Sequence, residues 1–308
     1  MITREHVLWA YRLFLDREPE NEEVLAEKLT RIVNTRDLRA SFMLSAEFGR
    51  NNPELAYTES NVVIKEIGDG LRLFVDLSDH VIGWGVIRDQ YERQELSFMK
   101  RTVRPGQSVL DIGAHIGLFT VVAADLVGSA GKVYSFEPLQ RQKSLLQRSV
   151  DENGFADRVV VEQAAVSDQT GVGRISVPDY TVNSGGAHLL ELESQVQHGH
   201  VAQDVPLIQL DSYPLRRPVS FIKIDIEGAE PLALRGAAEI LQADRPVILS
   251  EVHPAQLARV CGYTPERFIS EMQGYGYDSY SLGEDCLEPL NKLQSGEVRS
   301  IVFLPKKR

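Results

Sequence analysis

The side chains able to do chemistry in this chain gather where short apolar runs end. "SVLDI" carries Asp111, "KVYSFE" ends in Glu137, and "RVVVEQAAV" has Asp168 just beyond it. "VSFIKIDI" leads into Asp225 and Glu227, and "PVILSEV" carries Glu251 and is followed by His253. One acid at such a place is commonly a helix cap or a loop anchor. Acids at every run end are a stronger signal, because ligands of open α/β sheets bind outside the carboxyl ends of the strands. Asp225 and Glu227 are two residues apart and would share one side of a strand. Glu227 and Glu230 are three apart and would share a helix face. Glu251 and His253 repeat the two-residue spacing. His253, with an unperturbed pKa of about 6.5, suits a general base; its plainer role is to anchor the loop before Pro254. Asp225, Glu227, Glu251 and His253 could instead hold Mg²⁺ or Mn²⁺, the core of that set being Asp225, Glu251 and His253. Without a metal, such carboxylates repel one another and at least one pKa rises, which also makes a base.

The first of these ends reads "VLDIGAHIG", residues 109–117. Gly113 allows a tight turn, and Gly117 lets the following helix pack close to the strand. The helix start would offer N–H groups to an anion. This is not the dinucleotide fingerprint, because His115 stands where that pattern has its second glycine. No Gly-Lys-Ser/Thr follows, so it is not a phosphate-binding P-loop either. Glu137, twenty residues after Gly117, suits a ribose diol.

These residues need a frame, and the frame is legible. From residue 107, Val/Ile/Leu-rich strands alternate with amphipathic helices up to a last strand, "VRSIVFLP". That predicts a mostly parallel sheet covered by helices on both faces. "RDQYERQELSFMKRTV" reads as a lead-in helix packing Tyr91, Leu96, Phe98, Met99 and Val103 onto the sheet. "VVIKEI" and "LRLFVD" flank "GDG" as a β-hairpin. Residues 178–204 are polar and contain glycine, and read as a surface insertion or lid. In it, "NSGGAH" could touch a ligand, while His198 and His200 read as solvated. Trp84 and Tyr91 could stack on a sugar, although core packing is preferred for Tyr91. Before residue 55 the pattern is helical, with Thr3, Asn21 and Asp37 as N-caps. "NNPELAYTESN" reads as the linker between this module (1–55) and the larger domain (56–308).

"VLDIGAHIGLFT", "FEP", "IKIDIEGAE" and "SEVHP", in this order, resemble the S-adenosylmethionine-dependent methyltransferases of the FkbM type. The likeness runs from about residue 62 to 304. It implies a Rossmann-like class I methyltransferase sheet, mostly parallel with the last strand antiparallel. It implies S-adenosylmethionine as cofactor, and methyl transfer to a hydroxyl of a sugar, glycan or related natural product. By this resemblance Asp111 orders the loop near the methionine ammonium. The backbone from Gly113 through Ala114 and His115 to Gly117 approaches the methionine part. Glu137, followed by Pro138, takes both ribose hydroxyls. Ala165 and Val166 border the adenine, with Asp168 a partner for its amino group. Asp225, Glu227, Glu230, Glu251 and His253 make the catalytic end. "YRLFLDREPENEEV" with "LRASFMLSAEF" resembles a helical module of bacterial glycan-related proteins, which favours a carbohydrate acceptor. The alternatives are a nicotinamide-type oxidoreductase on a similar fold, or a non-catalytic scaffold.

Bulk composition bounds the rest. A chain of 308 residues with 43% hydrophobic residues can bury a full core. A net charge of -11, with no basic run before the last residues, argues against nucleic acid as a partner. Two cysteines are too few for a disulfide framework, and no stretch has transmembrane length or a signal-peptide core. The expected setting is cytoplasmic.

Overall fold

The computed structural model describes residues 2–32, 34–43, 45, 47–48, 61–178, 184–190, 200–283, 286–290 and 298–307. The apolar runs become the strands of one sheet: β3 (Ser108–Ile112), β4 (Lys132–Phe136), β5 (Val159–Glu162), β10 (Val219–Ile224), β11 (Val247–Val252), β12 (Tyr277–Leu282), β13 (Leu287–Pro289) and β14 (Arg299–Pro305). Their order is β13-β12-β14-β11-β10-β3-β4-β5. β3, β4, β5, β10 and β11 pair in parallel; β14 runs antiparallel to both β11 and β12. β3 is buried at all five positions, as a strand covered on both faces must be. The connection reverses direction between β3 and β10, so the ligand crevice is expected beyond their carboxyl ends.

Helices cover both faces. One side takes α5 (Arg93–Thr102), α6 (Leu118–Val127), α7 (Gln140–Glu152) and a hairpin of β1 (Val62–Glu66) and β2 (Arg72–Asp76). The other takes α8 (Glu230–Arg235), α9 (Ala238–Ala243), α10 (Pro254–Cys261) and α11 (Pro265–Gly274). The single helix expected over "GAEPLALRGAAEIL" divides at Gly236, where a Cβ would lie 2.1 Å from the Ser167 carbonyl oxygen. The lead-in helix starts only at Arg93, behind a short α4 (Ile82–Ile87), because Asp89 and Glu92 take left-handed φ values of 54° and 44°.

Of the segment expected as a surface insertion or lid (178–204), the described residues 178, 188–190 and 200–204 lie in strands. β6 (Ala165–Val166), β7 (Gly171–Pro178), β8 (His188–Leu190) and β9 (His200–Ile208) form a second, four-stranded sheet in the order β6-β9-β7-β8. Val205 and Leu207 are buried and alternate with exposed Asp204 and Pro206, the period of a half-buried strand. "RVVVEQAAV" is therefore not one strand: β5 ends at Glu162, and Ala165–Val166 pair with β9. Asn183 and His198 fall outside the described residues.

Near the amino terminus, α1 (Arg4–Leu15), α2 (Glu22–Arg31) and α3 (Thr35–Met43) share an apolar cluster of their own, centred on Tyr11 and Phe42 with ring centroids 4.7 Å apart. Thr3 and Asn21 cap α1 and α2. Asp37 does not cap α3. The cap is Asn34, whose Oδ1 accepts the Asp37 N–H at 2.9 Å. Of the proposed linker (51–61), residues 51–60, and with them the boundary at residue 55, lie outside the described residues; Asn61 is described and donates to Ser78 Oγ at 3.1 Å. Among those described, no helix is long and apolar enough to cross a membrane.

Candidate active site

The first wall of the site is the loop after β3. Gly113 has φ +79°, and a Cβ there would sit 1.9 Å from the Asp225 carbonyl oxygen. Glycine is thus required twice, for conformation and for room. Gly113 and Ala114 donate their N–H groups to the Phe136 carbonyl at 3.0 and 3.1 Å. His115 takes φ +49°, uncommon for a non-glycine residue, and its N–H donates to Glu137 Oε2 at 2.9 Å. Gly117 donates to Ala114. Four of the loop's N–H groups are therefore used inside the protein, while the helix start expected to face an anion, Leu118–Thr120, takes no part in these bonds.

Glu137, just past β4, is 5% exposed and also accepts the Leu139 N–H on Oε1 at 2.9 Å. Burial pushes its pKa up to about 7, against these two backbone bonds. Each carboxylate oxygen still has acceptor capacity for a diol. Asp111 is fully buried beneath the loop rather than on its surface. Its Oδ2 accepts from Thr120 Oγ1 at 2.6 Å, and its Oδ1 has no hydrogen-bond partner. Burial raises its pKa. It faces Lys223 and Ser135 across the neighbouring strands, so it serves the loop from behind.

A cavity of about 280 Å³ runs along the strand ends. At one end it meets the Gly113–Ile116 loop, Glu137, Pro138, Ala165 and Val166, with Ile175 and Leu189 of the second sheet and Ala187 just before β8. At the other it meets Tyr91, Glu92, Lys223, Asp225, Glu227 and Glu251. Lys223 Nζ lies 3.2 Å from Asp225 Oδ2 and 4.8 Å from the Phe119 ring centroid. Burial opposes its charge, but Asp225, Glu92 and Asp111 outweigh burial and hold its pKa above the usual lysine value. Asp225 and then burial push Glu251 up to about 9. Burial, then Asp225, pushes Glu227 up to about 8. Burial lifts Glu92 to about 7 although Lys223 pulls the other way. Glu92, His115 and Glu227 all hold left-handed φ on this one wall, at 44°, 49° and 52°. Strain of this kind costs on the order of 1–3 kcal/mol per residue and persists where surroundings over-determine it.

The raised Glu251 carboxyl has a consequence for stability. It binds its proton more tightly when folded, so its contribution is full below the unfolded value of about 4.3 and is lost as pH rises towards 9. Glu251→Gln keeps the neutral form at every pH. In melts from about pH 5 to about pH 9, the wild-type melting temperature should fall more steeply than that of the variant. Equal slopes would remove the assigned repulsion.

Several sequence candidates are placed elsewhere. His253 is the N-cap of α10: its Nδ1 accepts the Gln256 N–H at 3.4 Å, and it is not on the cavity wall. Glu230 is 1% exposed and accepts the N–H groups of Ile226 and Gly228 at 3.0 and 3.2 Å. It shapes the Asp225–Glu227 loop from behind. Glu227 precedes α8, so the two do not share a helix face. Asp168 pairs with Arg235 Nη2 at 3.0 Å, off the cavity. Among the described residues no three His, Cys, Asp or Glu side chains gather to hold a metal ion. Asp225 is engaged by the Lys223 ammonium and His253 by its own helix, so the Asp225, Glu251 and His253 set for Mg²⁺ or Mn²⁺ is not assembled. His200 bonds Ser176 Oγ at 2.9 Å, and Trp84 lies off the wall while Tyr91 is on it. Lys223 and Glu92 escaped the sequence reading. A lysine inside the apolar run "FIKIDI", two residues before Asp225, is the signal that could have found the first. Glu92 was hidden in what looked like continuous helix.

Residues 111–279, more than half of the chain, match the model of the methyltransferase FkbM domain. The 31-O-demethyl-FK506 methyltransferase FkbM of Streptomyces tacrolimicus is 31% identical over 201 residues, covering 57% of this chain and 74% of that protein. A probable cobalt-precorrin-6B C(15)-methyltransferase of Saccharolobus solfataricus is 33% identical over 70 residues, 23% of this chain and 35% of its own. The solved structure of methyltransferase FkbM from Methylobacillus flagellatus is 17% identical, with a TM-score of 0.39 over 73% of this chain and 55% of that one. The oxidoreductase and non-catalytic readings give way to the family model and the S. tacrolimicus relative. The chain belongs to the FkbM family of S-adenosylmethionine-dependent methyltransferases.

Proposed function

We propose that the chain methylates a hydroxyl oxygen of a sugar, a glycan or a related natural product. The observation that carries this reading is Asp225. Its carboxylate stands on the cavity wall with the Lys223 ammonium 3.2 Å away and Glu251, Glu227 and Glu92 around it. The donor set fits S-adenosylmethionine: a buried carboxylate for a diol at Glu137, and apolar Ala165, Val166 and Leu189 for a flat ring. When bound, this cofactor supplies an electrophilic methyl group on a sulfonium.

The protein's part is then twofold. An alcohol is a weak nucleophile at neutral pH, and its proton must leave as the new bond forms. Asp225 takes that proton. Lys223 holds the carboxylate's orientation, and Glu251, protonated near neutrality, donates a hydrogen bond to the acceptor. Glu227 and Glu92, which both donate and accept when protonated, suit the neighbouring hydroxyls of a polyol. Alignment of oxygen with methyl supplies much of the remaining rate. The S. tacrolimicus relative, whose name describes an O-methyl transfer, supports an oxygen acceptor.

The test is a methyl-transfer screen over nucleotide sugars, glycan fragments and hydroxylated natural products, read by mass. A methyl gain on a hydroxylated acceptor is expected. Gain only on amines or carbon acids would overturn the reading.

A further inference from the structure

The segment "NSGGAH" ends in His188. This residue opens β8, lines the methyl-transfer cavity and is 2% exposed. Its Nδ1 lies 3.1 Å from the Gly186 carbonyl oxygen. A carbonyl only accepts, so Nδ1 carries the proton of the neutral ring and Nε2 offers a lone pair. Among the described residues, Nε2 has no hydrogen-bond partner. Burial holds the pKa below the usual histidine value, with Arg259 and His200 acting the same way and the Gly186 bond opposing them. The ring is therefore neutral at neutral pH.

Packing decides which end of the cavity His188 serves. Side chains alternate along a strand. Leu189 shares an apolar cluster with Ile175, Ala165 and Leu139, beside the wall proposed for the cofactor's flat ring. His188 takes the other face, with Ser176 opposite it and the His200 ring centroid 6.0 Å away. β8 packs beside α10. The turn at Gly228 closes on the same helix: a Cβ there would lie 2.4 Å from the Gln256 carbonyl carbon, and Cys261 Sγ donates to the Gly228 carbonyl at 3.0 Å. Arg259 of α10 acts electrostatically on both His188 and Glu227. His188 thus groups with Glu227, at the end of the cavity where Asp225 and Glu251 stand. A buried lone pair is normally matched by a donor. An anionic group has no proton to give it, and the Arg259 charge disfavours an ammonium. A hydroxyl fits both conditions.

We infer that His188 is a specificity-determining residue of the methyl-acceptor site: its Nε2 takes a hydrogen bond from a second hydroxyl of the molecule whose first hydroxyl is presented at Asp225. The substrate class is therefore a polyhydroxylated molecule. A derivative lacking the second hydroxyl leaves the lone pair unmatched and is rejected for that reason. Asp225 keeps the proton transfer, and His188 selects what is brought to it. This rests on the hydroxyl reading proposed above.

The test uses the full chain with ¹⁵N-labelled histidine, saturated with S-adenosylhomocysteine. The probes are the methyl glycosides of D-glucose, D-galactose and D-mannose, and their monodeoxy derivatives. Before any probe is added, the ¹⁵N signals should show Nδ1 of His188 protonated and Nε2 free. At least one parent glycoside should shift the Nε2 signal saturably. One of its monodeoxy derivatives should bind at least about tenfold more weakly, without that shift. His188→Leu should weaken the parent glycoside by at least about tenfold, with S-adenosylhomocysteine affinity unchanged. His188→Gln, whose side-chain carbonyl can replace the lone pair, should recover most of that loss. A protonated Nε2 at neutral pH, a silent Nε2 with every glycoside, unchanged glycoside binding in His188→Leu, or an equal loss of S-adenosylhomocysteine affinity would each overturn the inference. The outcome is separable from the hydroxyl reading. A shifted Nε2 signal without any hydroxyl methylation defeats that reading alone; hydroxyl methylation with a silent Nε2 defeats this inference alone.

Discussion

Asp225→Asn should lower kcat by about a hundredfold to ten-thousandfold, the range for losing a positioned proton acceptor, while S-adenosylhomocysteine still binds nearly as in the wild type. The amide keeps the shape of the side chain and the Gly113 contact, which is made through the backbone carbonyl. It removes the charge that takes the proton. It also leaves the Lys223 ammonium, on a residue 5% exposed, without its nearest counter-ion. Breaking a buried pair from one side costs about 3–5 kcal/mol, whereas replacing both partners by neutral groups is often close to neutral. The single variant should therefore melt lower, and Asp225→Asn with Lys223→Met should recover much of that loss without recovering turnover. Calorimetry, melting and turnover on the three proteins separate folding from chemistry. Turnover near wild type in either variant would remove Asp225 as the base.

Gly113→Ala should be the most damaging single change to cofactor binding. At φ +79° an alanine pays on the order of 1–2 kcal/mol for conformation alone. Its Cβ would further lie 1.9 Å from the Asp225 oxygen and 2.9 Å from Ile226 Cγ2, so one backbone segment must move. The loop bearing the His115–Glu137 bond and the loop bearing Asp225 are the two available, and displacing either spoils the site. S-adenosylhomocysteine affinity should fall by about a hundredfold or more, equivalent to roughly 2.7 kcal/mol. Gly262→Ala, at the end of α10, is the control. Its φ is +63° and ψ 28°, left-handed, with nothing within 4 Å of the added Cβ, so it should cost about 1–2 kcal/mol of stability and spare binding. Equal binding losses in the two variants would show that the Asp225 contact does not matter.

Much of this site was legible because a strand that ends in an acid says so locally. Asp111, Glu137, Asp225 and Glu251 each sit in or end a largely apolar run, and the structure puts Glu137, Asp225 and Glu251 on the cavity wall with Asp111 buried behind the loop. What failed shares a cause: a side chain that turns back on its own backbone has the same spelling as one that faces a ligand. His253 before Pro254 reads equally as a base or as a cap, and proline at the first helical position was the clue to the cap. Glu230 reads as an active-site acid, yet it accepts two N–H groups of the loop just before it. The second sheet was missed because its strands are short or polar and its pairing is non-local. β6 joins β9 across some forty residues, which no local period announces. Strain at Glu92 and His115 is likewise invisible in sequence, since it is imposed by packing.

The central claim is that the acceptor's oxygen, presented at Asp225, takes the methyl group. The most direct measurement uses S-adenosylmethionine carrying a ¹³C-labelled methyl and a mixed panel of hydroxyl and amine acceptors, with the ¹³C shift of the product identifying the atom that carries the methyl. The account predicts an oxygen-bound methyl whose appearance is lost with Asp225→Asn. A nitrogen- or carbon-bound methyl, or an oxygen-bound methyl formed equally well by that variant, would contradict it.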